Sequence, residues 1–297
     1  MATLCLGEAL VDLVCERPVA SLAEATTFVP YCGGAVANVA ITAAREGARV
    51  ALAGGSGDDA WGHWLRDRLA SEGVSLELFS LVAQTSTPVA FVTVDDAGEP
   101  SFSIYGEGIG AAIGSLSGRL EQAVAAADGL FISSNTLVGE DERAVTLRAR
   151  ELALAAAKPL VVDPNLRLAR WPSIASAIEA VRRCIEGALL VRASQDEAEL
   201  ITGKPDPARA AEELVRAGAR MAVVSRGADG AVLRGELCAD VPGVRARTLS
   251  TMGAGDALTG VLLGRLARTG FYPAAVAAAL PDAVAAGARA TERWSAL

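Results

Sequence analysis

The chain has 297 residues, is 52% hydrophobic and 21% charged, and carries a formal net charge of -8. That length supports one large α/β domain or two modest ones, and an acidic balance without basic runs argues against a nucleic-acid surface. Lysine occurs only at 158 and 204 and histidine only at 63, so nearly all basic residues are arginine. No G-x-x-x-x-G-K-[ST] loop is present, and neither are the V-A-I-K and H-R-D signatures of protein kinases. A Ser-His-Asp triad or a histidine metal site would rest on His63 alone. The chemistry is left to carboxylates, arginines and backbone amides.

The elements follow in chain order. Leu4–Leu6 is a short apolar strand, and Leu10–Cys15 and Thr27–Tyr31 have strand character without a helix between them. A helix over Ala35–Glu46, a strand over Val50–Ala53 and a helix over Ala60–Glu72 come next. Gly57-Asp58-Asp59 marks the start of that last helix and Gly73 its end. Pro88–Val94 and Ser101–Tyr105, around Asp95–Pro100, read as a hairpin. Beyond it, strands at Gly129–Ile132, Pro159–Val162, Ala188–Arg192, Met221–Ser225 and Gly230–Arg234 alternate with helices such as Glu142–Ala157 and Pro207–Ala217. Strands that are apolar throughout, separated by helices, imply a doubly wound, mostly parallel sheet covered on both faces. The antiparallel segments fit poorly inside such a sheet. They are expected to form a small β lid, contributed by about 10–32 and 86–108, on a single α/β domain spanning 1–297.

Five cysteines lie scattered, odd in number and without C-x-x-C spacing, as in a reducing compartment. The start meets Gly7, Glu8 and Asp12 too early for a signal peptide, and Ala274–Leu280 is too short to span a bilayer before Pro281-Asp282. A cytoplasmic location with no membrane partner is expected.

The stretch Ser250–Gly260 is the most informative. A small-residue turn, Gly253-Ala254-Gly255, leads into an apolar helical pattern running through Leu266. Amides at such a helix start are unpaired and suit phosphate. Asp256 in the first turn is placed to take a proton from a hydroxyl attacking that phosphate. Complementing the helix dipole is an equally open reading for Asp256 on this stretch alone. A second small-residue turn, Gly33-Gly34, precedes a helix carrying Asn38, whose amide can donate to and accept from sugar hydroxyls. By itself this reads first as a plain strand-to-helix connection, with Asn38 making a local helix bond.

In order, Gly7-Glu8-Ala9-Leu10-Val11-Asp12, Gly33-Gly34-x-x-x-Asn38, Gly57-Asp58-Asp59-x-x-Gly62, Asp163-Pro164-Asn165-Leu166-Arg167 and Gly253-Ala254-Gly255-Asp256 resemble the motifs of the ribokinase-like (PfkB) carbohydrate kinases. The similarity covers nearly the whole chain and is closest to the fructokinase and 2-keto-3-deoxygluconate kinase branch. It implies an ATP- and Mg2+-dependent kinase that phosphorylates a primary hydroxyl of a small sugar, most readily fructose. Under it Asp256 is the catalytic base, and Gly253, Ala254 and Gly255 form the anion hole. Asp12, Gly33, Gly34 and Asn38 bind the sugar, and Arg167 contacts phosphate or a substrate carboxylate. Ser194-Gln195-Asp196-Glu197 lies where the family often has an Asn-x-x-Glu motif that organises magnesium and phosphate through water: Glu197 fits, and Ser194 replaces the asparagine. Ser225, Gly227 and Gly230 match a loop that contacts nucleotide phosphates.

The chain also departs from the family pattern. Ser250 and Met252 stand where a monovalent-cation site often has Asp and Thr, so potassium activation is not expected. Pro281-Asp282 interrupts a stretch that is often one helix beside adenine, which implies an unusual base pocket. Tyr105-Gly106-Glu107-Gly108 has glycine where related fructokinases often have arginine near the flap, so the acceptor stays open between fructose, 2-keto-3-deoxygluconate and a nucleoside. Ligand-induced stabilisation without ADP release would mark a catalytically silent sugar- or nucleotide-binding protein instead. A dinucleotide oxidoreductase is excluded, because no G-x-G-x-x-G follows the first strand. A homodimer paired through the lid is a further expectation, and arginines other than Arg167 are expected at the surface.

Overall fold

The computed structural model describes residues 2–106 and 108–297, so Glu107, within the expected lid, lies outside the described residues. From the start, β1 (Thr3–Leu6) runs into β2 (Leu10–Pro18), β3 (Val29–Gly33), α1 (Ala35–Arg45), β4 (Val50–Gly57) and α2 (Ala60–Ser71). Next come β5 (Phe79–Val82), the hairpin β6 (Val89–Val94) and β7 (Pro100–Tyr105), then α3 (Gly108–Gly114), α4 (Leu120–Ala126), β8 (Gly129–Ser133) and α5 (Glu140–Ala155). The second half holds β9 (Leu160–Asp163), α6 (Ile174–Ile185), β10 (Leu190–Ser194), α7 (Gln195–Thr202), α8 (Pro207–Arg216), β11 (Met221–Ser225), β12 (Ala231–Gly235), β13 (Ala239–Val241), α9 (Ala254–Arg268) and α10 (Ala274–Ala290).

Among the described residues, nine strands form the large sheet in the order β13-β12-β11-β10-β9-β8-β1-β4-β5. All neighbours are parallel except the β11-β12 and β12-β13 pairs. Alternation within each strand divides the core: Leu4, Leu6, Leu130 and Ile132 face one layer, while Cys5, Phe131, Leu52 and Val161 face the other. Both faces are therefore dry, as a parallel sheet requires. Strand order reverses at β1, between β4 and β8, so the crevice for a ligand opens at the carboxyl ends of these strands.

A second sheet has the order β3-β2-β6-β7. Its hairpin turn is closed by Asp95 Oδ1, which accepts from the amides of Ala97 and Glu99 at 2.9 Å each. Leu10, Val14, Ala90 and Val92 rest on Met252 and Ala296, so this sheet packs over the start of α9. At the turn tip, Thr251 donates its amide to Gly98 O (2.8 Å) and its hydroxyl to Glu99 (3.0 Å).

Three expectations need correction. The strand expected over Ala188–Arg192 runs from Leu190 to Ser194, because pairing with β11 continues to Ser194↔Ser225. Pro281 does not interrupt its helix. It lies on the exposed side of a continuous α10, whose Val276, Leu280, Ala283 and Val284 remain buried on both sides of it. Burial on either flank offsets the single backbone bond that proline removes. Finally, Arg192 is not a surface charge: it is 6% exposed in the middle of β10.

No helix among the described residues is long and apolar enough to cross a membrane, and all five cysteines are unpaired.

Candidate active site

A cleft open at its mouth lies between the two sheets. Asp12, Gly34, Asn38, Arg167, Gly253 and Asp256 all line it, so the structure brings together residues drawn from four separate segments. Gly33 lies against the Asp12 carboxylate, which a Cβ at 33 would displace. Gly34 has φ +97° and lies against the Glu8 carbonyl, so this turn admits only glycine without strain.

Asp256 sits in the first turn of α9, after Gly253 at φ +75°. Asn38 Nδ2 donates to its Oδ2 at 2.8 Å and Asn165 Nδ2 to its Oδ1 at 3.0 Å. Each asparagine keeps a buried Oδ1 with no protein partner. Burial pushes the Asp256 carboxyl above the usual carboxylate range, against the pull of Asn38, Arg167 and Arg192. Asp12, 5% exposed, is raised from 3.8 to about 7, first by burial and then by the charge of Asp256, with Arg167 opposing.

At the Gly253 turn, the Ala254 amide bends back to Thr251 O at 3.3 Å. The amides of Gly255 and Asp256 belong to the opening turn of α9, where no intrahelical acceptor is available. A Cβ at Gly253 would collide with Ala296, so the turn is backed by the tail of the chain.

The remaining expected residues lie beside the cleft rather than in it. Ser194 caps α7 in a capping box with Glu197: Glu197 Oε2 accepts from Ser194 N and Oγ at 2.9 Å each. Glu197 Oε1 accepts from Leu166 N at 2.6 Å, which fastens the Asp163–Arg167 loop to α7. Ser225 ends β11, and Gly227 is an exposed glycine at φ +54° facing open space. Gly230 is buried against the Val241 carbonyl, so packing explains that glycine. Arg167 is stacked 5.4 Å from the Phe102 ring of the small sheet.

Several functional positions escaped the sequence reading. Glu8, 3% exposed, accepts from Ala35 N (3.0 Å) and Asn135 Nδ2 (2.9 Å) through Oε1, while Oε2 lacks a partner. Arg170 lines the cleft and donates to Asn135 O at 3.0 Å. Asp163, 1% exposed, accepts from Thr259 Oγ1 at 2.6 Å and Arg192 Nη1 at 3.3 Å. Its carboxyl is raised to about 6, chiefly by burial. A usable signal existed for Arg192: a lone charge inside an apolar strand must be buried with a partner.

The pfkB family carbohydrate kinase model matches residues 2–295. Fructokinase-2 of Solanum lycopersicum is 33% identical over 263 residues, covering 88% of this chain and 80% of that protein. A PfkB protein from Polaromonas sp. JS666 superimposes with a TM-score of 0.85 at 26% identity, covering 99% of this chain and 97% of that one. A fructokinase from Vibrio cholerae O395, solved with fructose, ADP and a calcium ion bound, gives a TM-score of 0.81 at 26% identity, covering 99% and 94%.

Proposed function

The chain belongs to the PfkB family of carbohydrate kinases, and on that premise we propose that it transfers the γ-phosphoryl group of ATP to a primary hydroxyl of fructose. The observation that carries this reading is Asp256. It is a buried carboxylate held by two amides at the floor of the cleft, in the opening turn of a helix. The fructokinase relative and the fructose and ADP bound in the Vibrio cholerae enzyme support the choice of acceptor and donor.

In this reading Asp12, Gly33, Gly34 and Asn38 orient the sugar so that one hydroxyl faces Asp256. Asp256 takes its proton as the oxygen attacks phosphorus, and burial tunes that carboxyl toward the working pH. The amides of the Gly253-Ala254-Gly255 turn stabilise charge on the transferring group, with Arg167 beside them. Ser194, Ser225, Gly227 and Gly230 form the side on which the nucleotide phosphates lie. Magnesium fits the donor chemistry here: beyond burial, the charges of Glu197 and Asp256 raise the Asp163 carboxyl, that of Glu197 raises Asp256, and Asp163 Oδ1 has no protein partner. Both Glu197 oxygens are already engaged, so Glu197 would hold the ion through water. When bound, that ion neutralises phosphate charge.

We read residues 1–297 as one domain and the small sheet as a lid that keeps water from the phosphoryl group. Val29 and Tyr105, exposed on its edge strands, support self-association through it, which light scattering would test. The unpaired cysteines support a cytoplasmic location.

The deciding experiment follows ADP release with ATP, magnesium and a panel of sugars. Fructose is expected to be the preferred acceptor. Arg167 and Arg170, both lining the cleft, favour one second reading: an acceptor bearing a carboxylate, such as 2-keto-3-deoxygluconate. Preference for that sugar would replace fructose, and thermal stabilisation by sugars without ADP release would sink the kinase reading.

A further inference from the structure

Arg192 is the only charged residue of β10, and every other residue of that strand up to Ser194 is apolar. A guanidinium taken out of water there must be compensated by its neighbours. Nη1 lies 3.3 Å from Asp163 Oδ2 at the end of β9, and Nη2 donates to Ser225 Oγ at 2.7 Å at the end of β11. The same Asp163 oxygen accepts from Thr259 of α9. A Cβ on Gly255 would come within 2.5 Å of Nη1, so the guanidinium lies directly against the opening turn of α9. One side chain thus ties together two strand ends and the Gly253–Gly255 turn.

The bond to Ser225 has a directional consequence. A serine hydroxyl holds one proton, and with its oxygen accepting from Arg192 that proton is left to donate elsewhere. Its strand neighbour Ser194 has already given its hydroxyl to Glu197. Ser225 is therefore the serine of this pair that can donate outward from the strand ends. The two arms of the guanidinium reach Asp163 and Ser225 at once, which a lysine ammonium on a flexible stem does not reproduce.

We propose that Arg192 is a positioning residue for the nucleotide phosphates: it fixes the Ser225 hydroxyl as a donor and holds positive charge beneath the Gly255 amide. This rests on the kinase reading above. The test compares ADP and adenosine binding by calorimetry in the wild type, Arg192→Lys, Ser225→Ala and the double variant, with KM for fructose measured alongside.

Each single variant is expected to weaken ADP about tenfold, the scale of one lost charge-assisted hydrogen bond. Adenosine affinity and the fructose KM should stay unchanged. The double variant should bind ADP no more weakly than Arg192→Lys alone, because both changes break the same link. Additive losses, equal losses for adenosine, or undiminished ADP binding would overturn the role of Arg192. A wild type that binds no ADP would overturn the kinase reading and this role with it. Should Arg192→Lys fail to fold, Arg192→Gln takes its place, leaving untouched the Asp163 carboxylate read above as facing magnesium. That variant must then show the same selective loss of ADP over adenosine, or the proposal fails.

Discussion

Asn38 on α1 and Asp256 on α9 stand 218 positions apart in sequence and meet at 2.8 Å. Two glycines make the meeting possible: Gly260 and Gly264 of α9 lie against Thr42 and Ala43 of α1, letting the helices approach closely. The same amide that faces the cleft therefore also holds the carboxylate assigned as base. Substrate positioning and proton acceptance share one side chain.

Asp256→Asn should leave fructose binding largely intact while kcat falls by about two orders of magnitude or more, the scale of a lost general base. Calorimetric titration of fructose beside steady-state ADP release checks this. Near-normal turnover in that variant would remove Asp256 from its role.

Asn38→Ala should shift the acid limb of the pH–rate profile upward. Asn38 donates to ionised Asp256 and so lowers its pKa, and losing that donor leaves burial to raise it further. Since the base acts ionised, the variant should lose more activity at pH 6 than at pH 8. An acid limb that stays where the wild type has it would separate Asn38 from the tuning of Asp256.

Asp12→Asn should stabilise the protein in alkaline conditions while weakening sugar binding. With an unfolded value of 3.8 and a folded value of about 7, the Asp12 carboxyl holds its proton more tightly when folded. The stability it contributes is intact at low pH and declines as pH rises between those values. Asparagine avoids that decline, so the melting temperature should rise by several degrees at pH 8 and hardly change at pH 4. The gain is at most a few kcal/mol, from about 1.4 kcal/mol per pKa unit. Equal effects at both pH values would contradict the account.

Gly260→Val should lower stability by about 1–3 kcal/mol, the usual cost of overpacking. Its side chain would be driven into Thr42 and the Val39 carbonyl. Because the displaced helix carries Asp256, kcat should fall alongside the melting temperature. Loss of stability with unchanged kcat would show that the α1–α9 spacing does not set the Asn38–Asp256 distance.

The apolar strands, the Asp95–Pro100 turn and the Gly253–Asp256 helix start were legible because each is a local pattern of a few residues. The strands of the small sheet stood out for the same reason, since β-branched runs around a turn need no tertiary knowledge. What was not legible depends on strand order. Asp163, Arg192 and Ser225 meet only because β9, β10 and β11 are neighbours in the sheet, β9 ending two residues short of β10 and β11. Asn165 reaches Asp256 from a loop held by Glu197, a pairing across 91 positions that no spacing announces. Pro281 misled in the other direction: local propensity pointed to a break, and packing along α10 carried the helix through.

The backbone crosses from the large sheet to the small one at Gly7–Ala9, between β1 and β2, and returns at Gly33-Gly34, between β3 and α1. Any rotation of one sheet against the other must be absorbed partly at these two short crossings. Glu8 bonds the two crossings together through Ala35 N. The residues assigned to hold the sugar, Asp12, Gly33, Gly34 and Asn38, sit on or beside these two crossings. On the proposed function, a sugar seated there would brace both crossings at once and so steady the small sheet over the cleft.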